Sequence, residues 1–358
     1  MPQHVQRILF IRLSAIGDIV MASGLPSSIN SIYTSTAPNV EITWLVEAPY
    51  VGLVSAHPHV NNVIAWPKSE WKALAKRRQY WQLFKAVWKF RHELRSHRFT
   101  VAVEAQGLLK SALLAFLSGA PVRFGFKSKE NSHLLLTHVT AKPMSDEISS
   151  EYGHLAKFIA DTQQRDNADN VKPYQLQVRV LSSVNASAFD KLSLRGITQP
   201  FMVIAPFTTR PQKHWPMEHW ETLLEEIRKH TQMPIVILGG PSDAAHAESL
   251  TFGQESIVSL AGNLTLEESV AISSKCHALV GVDTGLTHLG TAFNKPTVAI
   301  FGSTRPYTKT DSANTHIIYK ELSCAPCKRR PTCGGKFDCM KEVTPKEVLN
   351  RLLPYINY

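Results

Sequence analysis

The chain has 358 residues, of which 44% are hydrophobic and 19% are charged. This composition is typical of a soluble globular protein, and the length allows two domains that each bury a core. No stretch approaches the ~20 apolar residues that a membrane-spanning helix needs, so a membrane-embedded protein is excluded. Residues 6–13 fit a first buried strand better than a signal peptide, so we expect a cytoplasmic location.

The formal net charge of +10 is concentrated in one segment. Residues 68–98 hold ten Lys or Arg against two Glu, which gives this segment alone a charge of +8. Such a field raises the local concentration of anionic partners, whether a phospholipid surface, nucleic acid or a phosphorylated substrate.

The same segment is rich in aromatic residues, and Trp81, Phe84 and Trp88 fall on one face of a predicted helix. Aromatic side chains beside Lys and Arg are typical of a helix that lies in a membrane interface. The alternative is an amphipathic helix whose aromatic row is buried against a sheet. The sequence leaves both interpretations open.

Apolar, β-branched runs alternate with segments of helical period, which predicts parallel sheets and an α/β fold. The predicted strands are residues 8–13, 41–46, 100–104, 201–206, 234–238, 277–282 and 297–301. A polar stretch at 163–170 predicts a boundary between two domains, 1–175 and 176–343. Thr344 as N-cap and Pro345 at the first helical position predict a closing helix within residues 344–358.

The loop after the first strand carries Gly17 and Asp18. Ligands bind at the carboxyl ends of parallel strands, so Asp18 is a candidate general base at the mouth of a cleft. A plain helix N-cap, with Gly17 supplying the turn, explains it as well. One glycine does not match the dinucleotide fingerprint, which disfavours a nicotinamide enzyme.

Two loops in the second half favour binding of a diphosphate. One holds Thr208, Thr209 and Lys213, whose hydroxyls and charge suit phosphate oxygens. The other holds Asp283, Thr284 and Gly285 at the start of a predicted helix, whose first N–H groups form an anion site, with His288 one turn on. The alternatives are ordinary loop packing, a capping Asp283 and a half-buried His288.

Two further features each allow two interpretations. Asp243, after a strand end, is a candidate for bonds to ribose hydroxyls or a turn-capping residue. Cys324, Cys327, Cys333 and Cys339 have the count for a structural four-thiolate zinc site, although their spacing is irregular. A reduced or partly disulfide-linked loop is the other interpretation, and no catalytic role is expected for these thiols.

Four segments taken together, in chain order, resemble the heptosyltransferases of glycosyltransferase family 9. They are residues 14–18, 104–111, 208–216 and 282–288. The resemblance implies a fold of GT-B type, in which two Rossmann-like domains face a central cleft. It also implies inverting transfer of heptose from ADP-L-glycero-D-manno-heptose to the Kdo/heptose inner core of lipopolysaccharide, with no metal ion or other cofactor required.

Carried onto matching positions, the resemblance implies that Asp18 is the catalytic base and that Lys213, with catalytic and donor-binding roles, holds the diphosphate. It implies a ribose contact for Asp243, at a position where the family can carry a glutamate. It also implies donor contacts for Thr208, Thr209, Asp283, Thr284, Gly285 and His288. The expected acceptor-binding residues, which meet carboxylates and phosphates, are Arg77, Arg78, Gln106, Lys110 and Arg123.

The expected partners are ADP-heptose, Kdo-lipid A or inner-core lipopolysaccharide, and the anionic cytoplasmic face of the inner membrane. A family 9 transferase with another nucleotide sugar is the enzymatic alternative. A basic nucleic-acid-binding module is the alternative of a different class, but nucleic acid is not the expected partner.

Overall fold

The structure is a computed structural model, which describes residues 5–34, 37, 39–163, 174–198, 200–251, 253–328 and 330–357. The chain divides into two compact units, Met1–Ser145 with Ser149–Arg179 and Asp146–Ile148 with Val180–Tyr358. The polar stretch at 163–170 falls, apart from its first residue, outside the described residues. The boundaries predicted from the sequence, at residues 175 and 343, stay predictions.

The described part of the first unit contains a six-stranded parallel sheet in the order β3-β2-β1-β4-β5-β6. Its strands are β1 (Val5–Ile11), β2 (Asn39–Glu47), β3 (Asn62–Trp66), β4 (Val101–Glu104), β5 (Val122–Phe126) and β6 (His138–Thr140). Its helices are α1 (Ile16–Ala22), α2 (Leu25–Thr34), α3 (Val51–Ser55), α4 (Lys68–Lys76), α5 (Tyr80–Ser96), α6 (Leu109–Leu117) and α7 (Ser150–Thr162). The strand order reverses between β1 and β4, and ligands of open α/β sheets bind at such a point.

The described part of the second unit contains another six-stranded parallel sheet, in the order β12-β11-β10-β7-β8-β9. Its strands are β7 (Met202–Ala205), β8 (Ile235–Ile237), β9 (Ile257–Ser259), β10 (Ala278–Val282), β11 (Thr297–Phe301) and β12 (Thr315–Tyr319). Its helices are α8 (Ser182–Ser193), α9 (Met217–Arg228), α10 (Ala244–Ser249), α11 (Leu266–Lys275), α12 (Gly285–Ala292), α13 (Asp338–Lys341) and α14 (Pro345–Leu352).

The central strands of both sheets are buried along most of their length. The residues of β10 and β11, for example, are all buried, because helices cover both faces of a parallel sheet. This explains why these strands are near-continuous apolar runs in the sequence. The prediction of an α/β fold with two parallel sheets, of GT-B type, is confirmed.

Helix α14 begins where the sequence predicts. The hydroxyl of Thr344 accepts the N–H of Glu347 at 3.3 Å, and Glu347 accepts the N–H of Thr344 at 2.9 Å. This reciprocal capping satisfies two backbone donors that a helix start leaves unpaired. Val348, Leu349 and Leu352 then pack into the apolar core of the second unit.

Three residues from the middle of the chain belong to the second unit. Asp146 accepts the N–H of Thr308 through its carbonyl at 2.7 Å and the Thr308 hydroxyl through its carboxylate at 2.8 Å. The N–H of Ile148 donates to the carbonyl of Lys309 at 2.8 Å. Residues 146–148 therefore fasten the loop that follows β11.

Helix α5 buries the face opposite the one that its aromatic row occupies. Phe90 and Leu94 are buried, whereas Trp81, Phe84 and Trp88 are 67%, 54% and 50% exposed. The interpretation in which this row packs against the sheet is therefore wrong. No helix in the described part of the chain is long and apolar enough to cross a membrane.

Candidate functional site

Asp18 lies in the first turn of α1, directly after the loop that follows β1. Its Oδ2 lies 2.7 Å from Nη2 of Arg12 and accepts the N–H of Ala15 at 3.2 Å. The contacts of Asp18 with other described residues thus use Oδ2. The side chain is 43% exposed, and neither of these contacts uses Oδ1.

Arg12, which the sequence analysis did not select, is the residue that fixes Asp18. Its guanidinium is buried, donates to the carbonyl of Ala105 at 3.0 Å and lies 5.9 Å from the ring centre of Tyr152. A buried cation is stable only when it is paired and hydrogen-bonded, and Asp18 and Ala105 provide both. The sequence feature that could have identified Arg12 is a charged residue inside an apolar run.

Gln106 connects two loops at the carboxyl edge of the first sheet. Its side-chain oxygen accepts the N–H of Leu13 at 3.1 Å. The buried carboxylate of Glu104 accepts the N–H groups of Gln106 and Gly107, each at 2.8 Å, and Gly107 has a φ of +74°, which favours glycine. Burial raises the pKa of Glu104, although these bonds and the Ser111 hydroxyl oppose it. Gln106 thus positions the loop that precedes Asp18.

Lys110 shares a buried carboxylate with Lys68. Glu47, at the end of β2, accepts from Lys68 Nζ at 2.8 Å, from the Ser14 hydroxyl at 3.1 Å, and lies 3.7 Å from Lys110 Nζ. Both lysines also lie within 6.0 Å of the ring centre of Trp66. Partial burial and then the charge of Lys68 lower the pKa of Lys110, although Glu47 opposes both. This pair of cations at the carboxyl edge is suited to an anionic group.

The other predicted acceptor residues lie apart from this cluster. Arg77 and Arg78 are exposed in the turn between α4 and α5, and Arg78 has a φ of 58°. Arg123 lies at the second residue of β5, where its guanidinium donates to the carbonyls of Leu135 at 2.8 Å and Ala120 at 2.6 Å. The structure therefore uses Arg123 inside the first unit, near the amino end of a strand, and does not bring it together with Asp18.

In the second unit, the two predicted diphosphate loops meet. Strands β7 and β10 pair in parallel, so the loops that follow them emerge side by side. Lys213 ends a short 3₁₀ turn in the first loop, and its Nζ lies 2.7 Å from Oδ2 of Asp283 in the second. Lys213 is thereby held at the start of α12.

Asp283 is enclosed by further partners. Oδ1 lies 3.4 Å from Nε2 of His288, and the hydroxyl of Thr304 donates to Oδ2. Nδ1 of His288 lies 2.8 Å from the hydroxyl of Tyr307. Burial opposes ionisation of Asp283, but the hydrogen bond and charge of His288, and then Lys213, outweigh it and hold the pKa of Asp283 well below its usual range. Thr304 and Tyr307 have no motif in the sequence that marks them.

Helix α12 begins at Gly285, with Thr284 in an extended conformation at the N-cap. The Thr284 side chain accepts no capping hydrogen bond. The Thr287 hydroxyl donates backwards to the carbonyl of Val282 at 2.6 Å, which ties the helix to the end of β10. The first N–H groups of the helix and its dipole therefore favour an anion beside Lys213.

The other predicted donor residues differ in position. Thr208 is half-buried and Thr209 is exposed, both in the same loop as Lys213. Asp243 accepts the N–H of Gly240 at 2.8 Å and the hydroxyl of Ser242 at 3.4 Å. These bonds match the turn-capping interpretation, and a ribose contact for Asp243 stays a prediction.

The four clustered cysteines are free thiols, with Cys339 buried and the other three half-buried. Burial and then the neighbouring thiols of Cys327, Cys324 and Cys333 raise the pKa of Cys339 to about 11. No group of three or more His, Cys, Asp or Glu among the described residues is placed to hold a metal ion. The predicted zinc site therefore has no support from the geometry.

A cavity of about 390 Å³ lies at the opposite edge of the first sheet. Arg7, Glu41 and Arg98 are among its lining residues, at the amino ends of β1 and β2 and just before β4. Ligands of parallel α/β sheets bind at the carboxyl ends of the strands, so we assign this cavity no part in the site.

The sequence comparison agrees with this geometry. Residues 87–337, more than half of the chain, match glycosyltransferase family 9 (heptosyltransferase). The chain therefore belongs to glycosyltransferase family 9, and it is a glycosyltransferase.

Curated relatives match most of the chain. Lipopolysaccharide heptosyltransferase 1 of Pseudomonas aeruginosa is 26% identical over 340 residues, which cover 91% of this chain and 87% of the relative. Lipopolysaccharide heptosyltransferase 2 of Escherichia coli is 26% identical over 356 residues, 97% of each chain. The solved structure of E. coli ADP-heptose lps heptosyltransferase II has a TM-score of 0.76 and 24% identity, with 98% of each chain covered, which shows a shared fold.

Proposed function

We propose that this glycosyltransferase transfers heptose from ADP-L-glycero-D-manno-heptose to a Kdo or heptose residue of the lipopolysaccharide inner core, with inversion and without a metal ion. The names of the relatives support the donor and the acceptor. The observation that carries the proposal is the ion pair of Lys213 and Asp283 at the start of α12. It supplies positive charge where a departing diphosphate needs it.

Lys213 is suited to stabilise the leaving group. An ammonium has three N–H donors, and Asp283 Oδ2 takes one at 2.7 Å while the Asp283 carbonyl lies 3.5 Å away. At least one donor is therefore left for a phosphate oxygen. Together with the N–H groups of α12, Lys213 offsets the charge that develops on ADP as the glycosidic bond breaks. Thr208, Thr209 and Thr284 have hydroxyls to complete the donor site.

Asp18 is suited to act as the base. Arg12 and the N–H of Ala15 hold Oδ2, which leaves Oδ1 to accept the proton of an acceptor hydroxyl. The acceptor oxygen then bonds to the anomeric carbon from the face opposite the diphosphate, and the bond from that carbon to the diphosphate oxygen breaks. The electron pair of the broken bond leaves with ADP, so the anomeric centre is inverted.

The acceptor carries carboxylates and phosphates, which favours a cationic site. Lys68 and Lys110 flank Glu47 at the carboxyl edge of the first sheet, and Arg77 and Arg78 are exposed after α4. We assign acceptor binding to these four residues and a positioning role to Gln106. Because the acceptor is anchored in a lipid, the enzyme works at the cytoplasmic face of the inner membrane.

Mass spectrometry of the product tests this function. Purified protein is incubated with ADP-heptose and deacylated Kdo-lipid A, and the expected result is a gain of one heptosyl residue. UDP-sugars in place of ADP-heptose form the matched control. Transfer from a UDP-sugar but not from ADP-heptose contradicts the proposed donor, and near wild-type turnover by Asp18→Ala contradicts the proposed base.

A further inference from the structure

We propose that the exposed face of α5 is a docking surface for an anionic phospholipid bilayer. We call this surface the aromatic row, and it consists of Trp81, Phe84 and Trp88. The inference rests on the proposed function, because a lipid acceptor requires the enzyme to reach a membrane. It adds the residues that make the contact.

The geometry of the helix separates the aromatic row from the core. Positions 81, 84 and 88 follow the i, i+3, i+7 spacing of one helix face, and Phe90 and Leu94 lie on the other side. The buried pair is enough to fix α5 on the first unit. The three large aromatic side chains are not part of the core cluster that holds Phe90 and Leu94, and at least half of each is exposed.

The rings of the aromatic row contact one another and neighbouring cations. Trp81 stacks on Phe84 with centroids 5.6 Å apart, and Phe84 stacks on Trp88 at 6.0 Å. Lys85 Nζ lies 5.3 Å from the Trp81 ring centre, and Arg91 Cζ lies 4.7 Å from that of Trp88. Ring edges flanked by cations suit the boundary between headgroups and acyl chains.

A second exposed apolar ridge lies on the neighbouring helix. Leu109, Leu113 and Phe116 share one face of α6, and each is about half exposed. Arg95, on the same side of α5 as the aromatic row, donates to the carbonyl of Leu117 at 3.4 Å. The end of α6 therefore lies beside α5, so exposed apolar side chains occur on two neighbouring helices.

Charge complementarity selects an anionic surface as the occupant. Residues 68–98, which include all of α4 and α5, carry a net charge of +8. Each Lys or Arg near an anionic leaflet adds to binding, and the aromatic side chains add an apolar contribution that salt does not screen. A second copy of this chain would bring two such fields together and is disfavoured by repulsion.

Co-sedimentation with vesicles tests the inference on the full-length protein. We expect the wild type to bind vesicles that contain phosphatidylglycerol and to bind pure phosphatidylcholine vesicles weakly. The Trp81→Ser/Phe84→Ser/Trp88→Ser variant is expected to lose about tenfold or more in binding to the anionic vesicles, because three interfacial side chains are removed. The Leu181→Ser/Leu194→Ser variant, which removes exposed leucines of the second unit, is the matched control and should bind like wild type.

A charge variant separates the electrostatic contribution to vesicle binding from the apolar one. Lys85→Gln/Lys89→Gln should weaken binding to anionic vesicles at low salt and leave the weak binding to neutral vesicles unchanged. Absence of wild-type binding to anionic vesicles overturns the inference, and so does equal binding by the serine triple variant. Tighter binding to a random oligonucleotide, or self-association that the triple variant abolishes, assigns the surface to another partner and also overturns it.

The same variants distinguish this inference from the proposed function. Transfer to the water-soluble, deacylated acceptor needs no membrane, so the serine triple variant should retain wild-type rates there while it loses activity on acceptor embedded in vesicles. Failure of the wild type on the soluble acceptor contradicts the proposed function whatever the vesicles show. Unchanged activity of the triple variant on the embedded acceptor contradicts the docking surface alone.

Discussion

The candidate residues of the two units differ in how far the protein encloses them. The carboxylate of Asp283 is 9% exposed and has contacts with Lys213, His288 and Thr304. The carboxylate of Asp18 is 43% exposed and is held on one oxygen. An enclosed cluster, in which neighbours fix the carboxylate, holds charge in place for a constant group such as a diphosphate, because preorganised charge needs no rearrangement during reaction. An open cluster leaves a base accessible to an acceptor whose size and shape vary.

The replacement Asp18→Asn should have the largest effect on this comparison. Asparagine keeps the shape but cannot accept the proton, so kcat is expected to fall by about 10²- to 10⁴-fold. Binding of ADP, followed by thermal shift, should not change. Asp161→Asn, at an exposed position on α7, is the control, and near wild-type kcat for Asp18→Asn would remove the distinction between an active and a structural carboxylate.

The replacement Lys213→Met tests the enclosed cluster. Loss of one donor to a developing anion costs about 10²- to 10³-fold in kcat, and ADP binding should weaken as well because the ground-state diphosphate is also an anion. Lys229→Met, an exposed lysine at the end of α9, serves as the control. If kcat/KM for the donor is unaltered, the cluster is structural.

The replacement Asp283→Asn tests how the stability contributed by the enclosed carboxylate depends on pH. The depressed pKa of Asp283 contributes stability that is present above the unfolded-state pKa of about 3.9 and is lost as the pH falls through the lower, folded-state pKa. At neutral pH we expect the variant to lose about 3 kcal/mol of unfolding free energy, since it leaves buried partners unpaired.

Urea unfolding of wild type and variant as a function of pH measures this effect. The difference in unfolding free energy between wild type and variant should narrow as the pH falls below about 3.9. A difference that stays constant into strong acid would show that the carboxylate charge is not the source of the stability.

The replacement Arg77→Glu/Arg78→Glu should have the smallest effect, because both arginines are exposed and open to solvent. Repulsion of the anionic acceptor is expected to raise the acceptor KM by about tenfold, with the donor KM unchanged. Arg195→Glu, at an exposed position after α8, controls for net charge. An unchanged acceptor KM would exclude Arg77 and Arg78 from the acceptor contact.

The sequence predicted the alternation of strands and helices, and each of the seven predicted strands overlaps an observed one, with ends that differ by at most three residues. It could do so because buried parallel strands are continuous apolar runs. Strands β3, β5, β6, β9 and β12 were not predicted. Most of these are short or only partly buried, which weakens the pattern.

The candidate site was predictable where its residues lie in the loop or the first helical turn that follows a strand, as Asp18, Lys213 and Asp283 do. The partners of these residues were not predictable. Arg12 and Ala105, or Lys213 and Asp283, come together only through the pairing of strands distant in sequence. Similarly, the helical period placed Trp81, Phe84 and Trp88 on one face, but the period alone does not say whether anything covers that face.

Residues 146–148 belong to the second unit, although the segments before and after them belong to the first. This arrangement limits how the enzyme can be divided into fragments. Asp146 and Ile148 fasten Thr308 and Lys309, and the same loop delivers Thr304 to Asp283 and Tyr307 to His288. A fragment that starts at residue 180 would lack these hydrogen bonds, so we expect its loop to be less ordered beside Asp283 and His288. One proteolytic cut therefore cannot release an intact second unit. Hybrids that exchange the second unit between relatives need to include residues 146–148 with it.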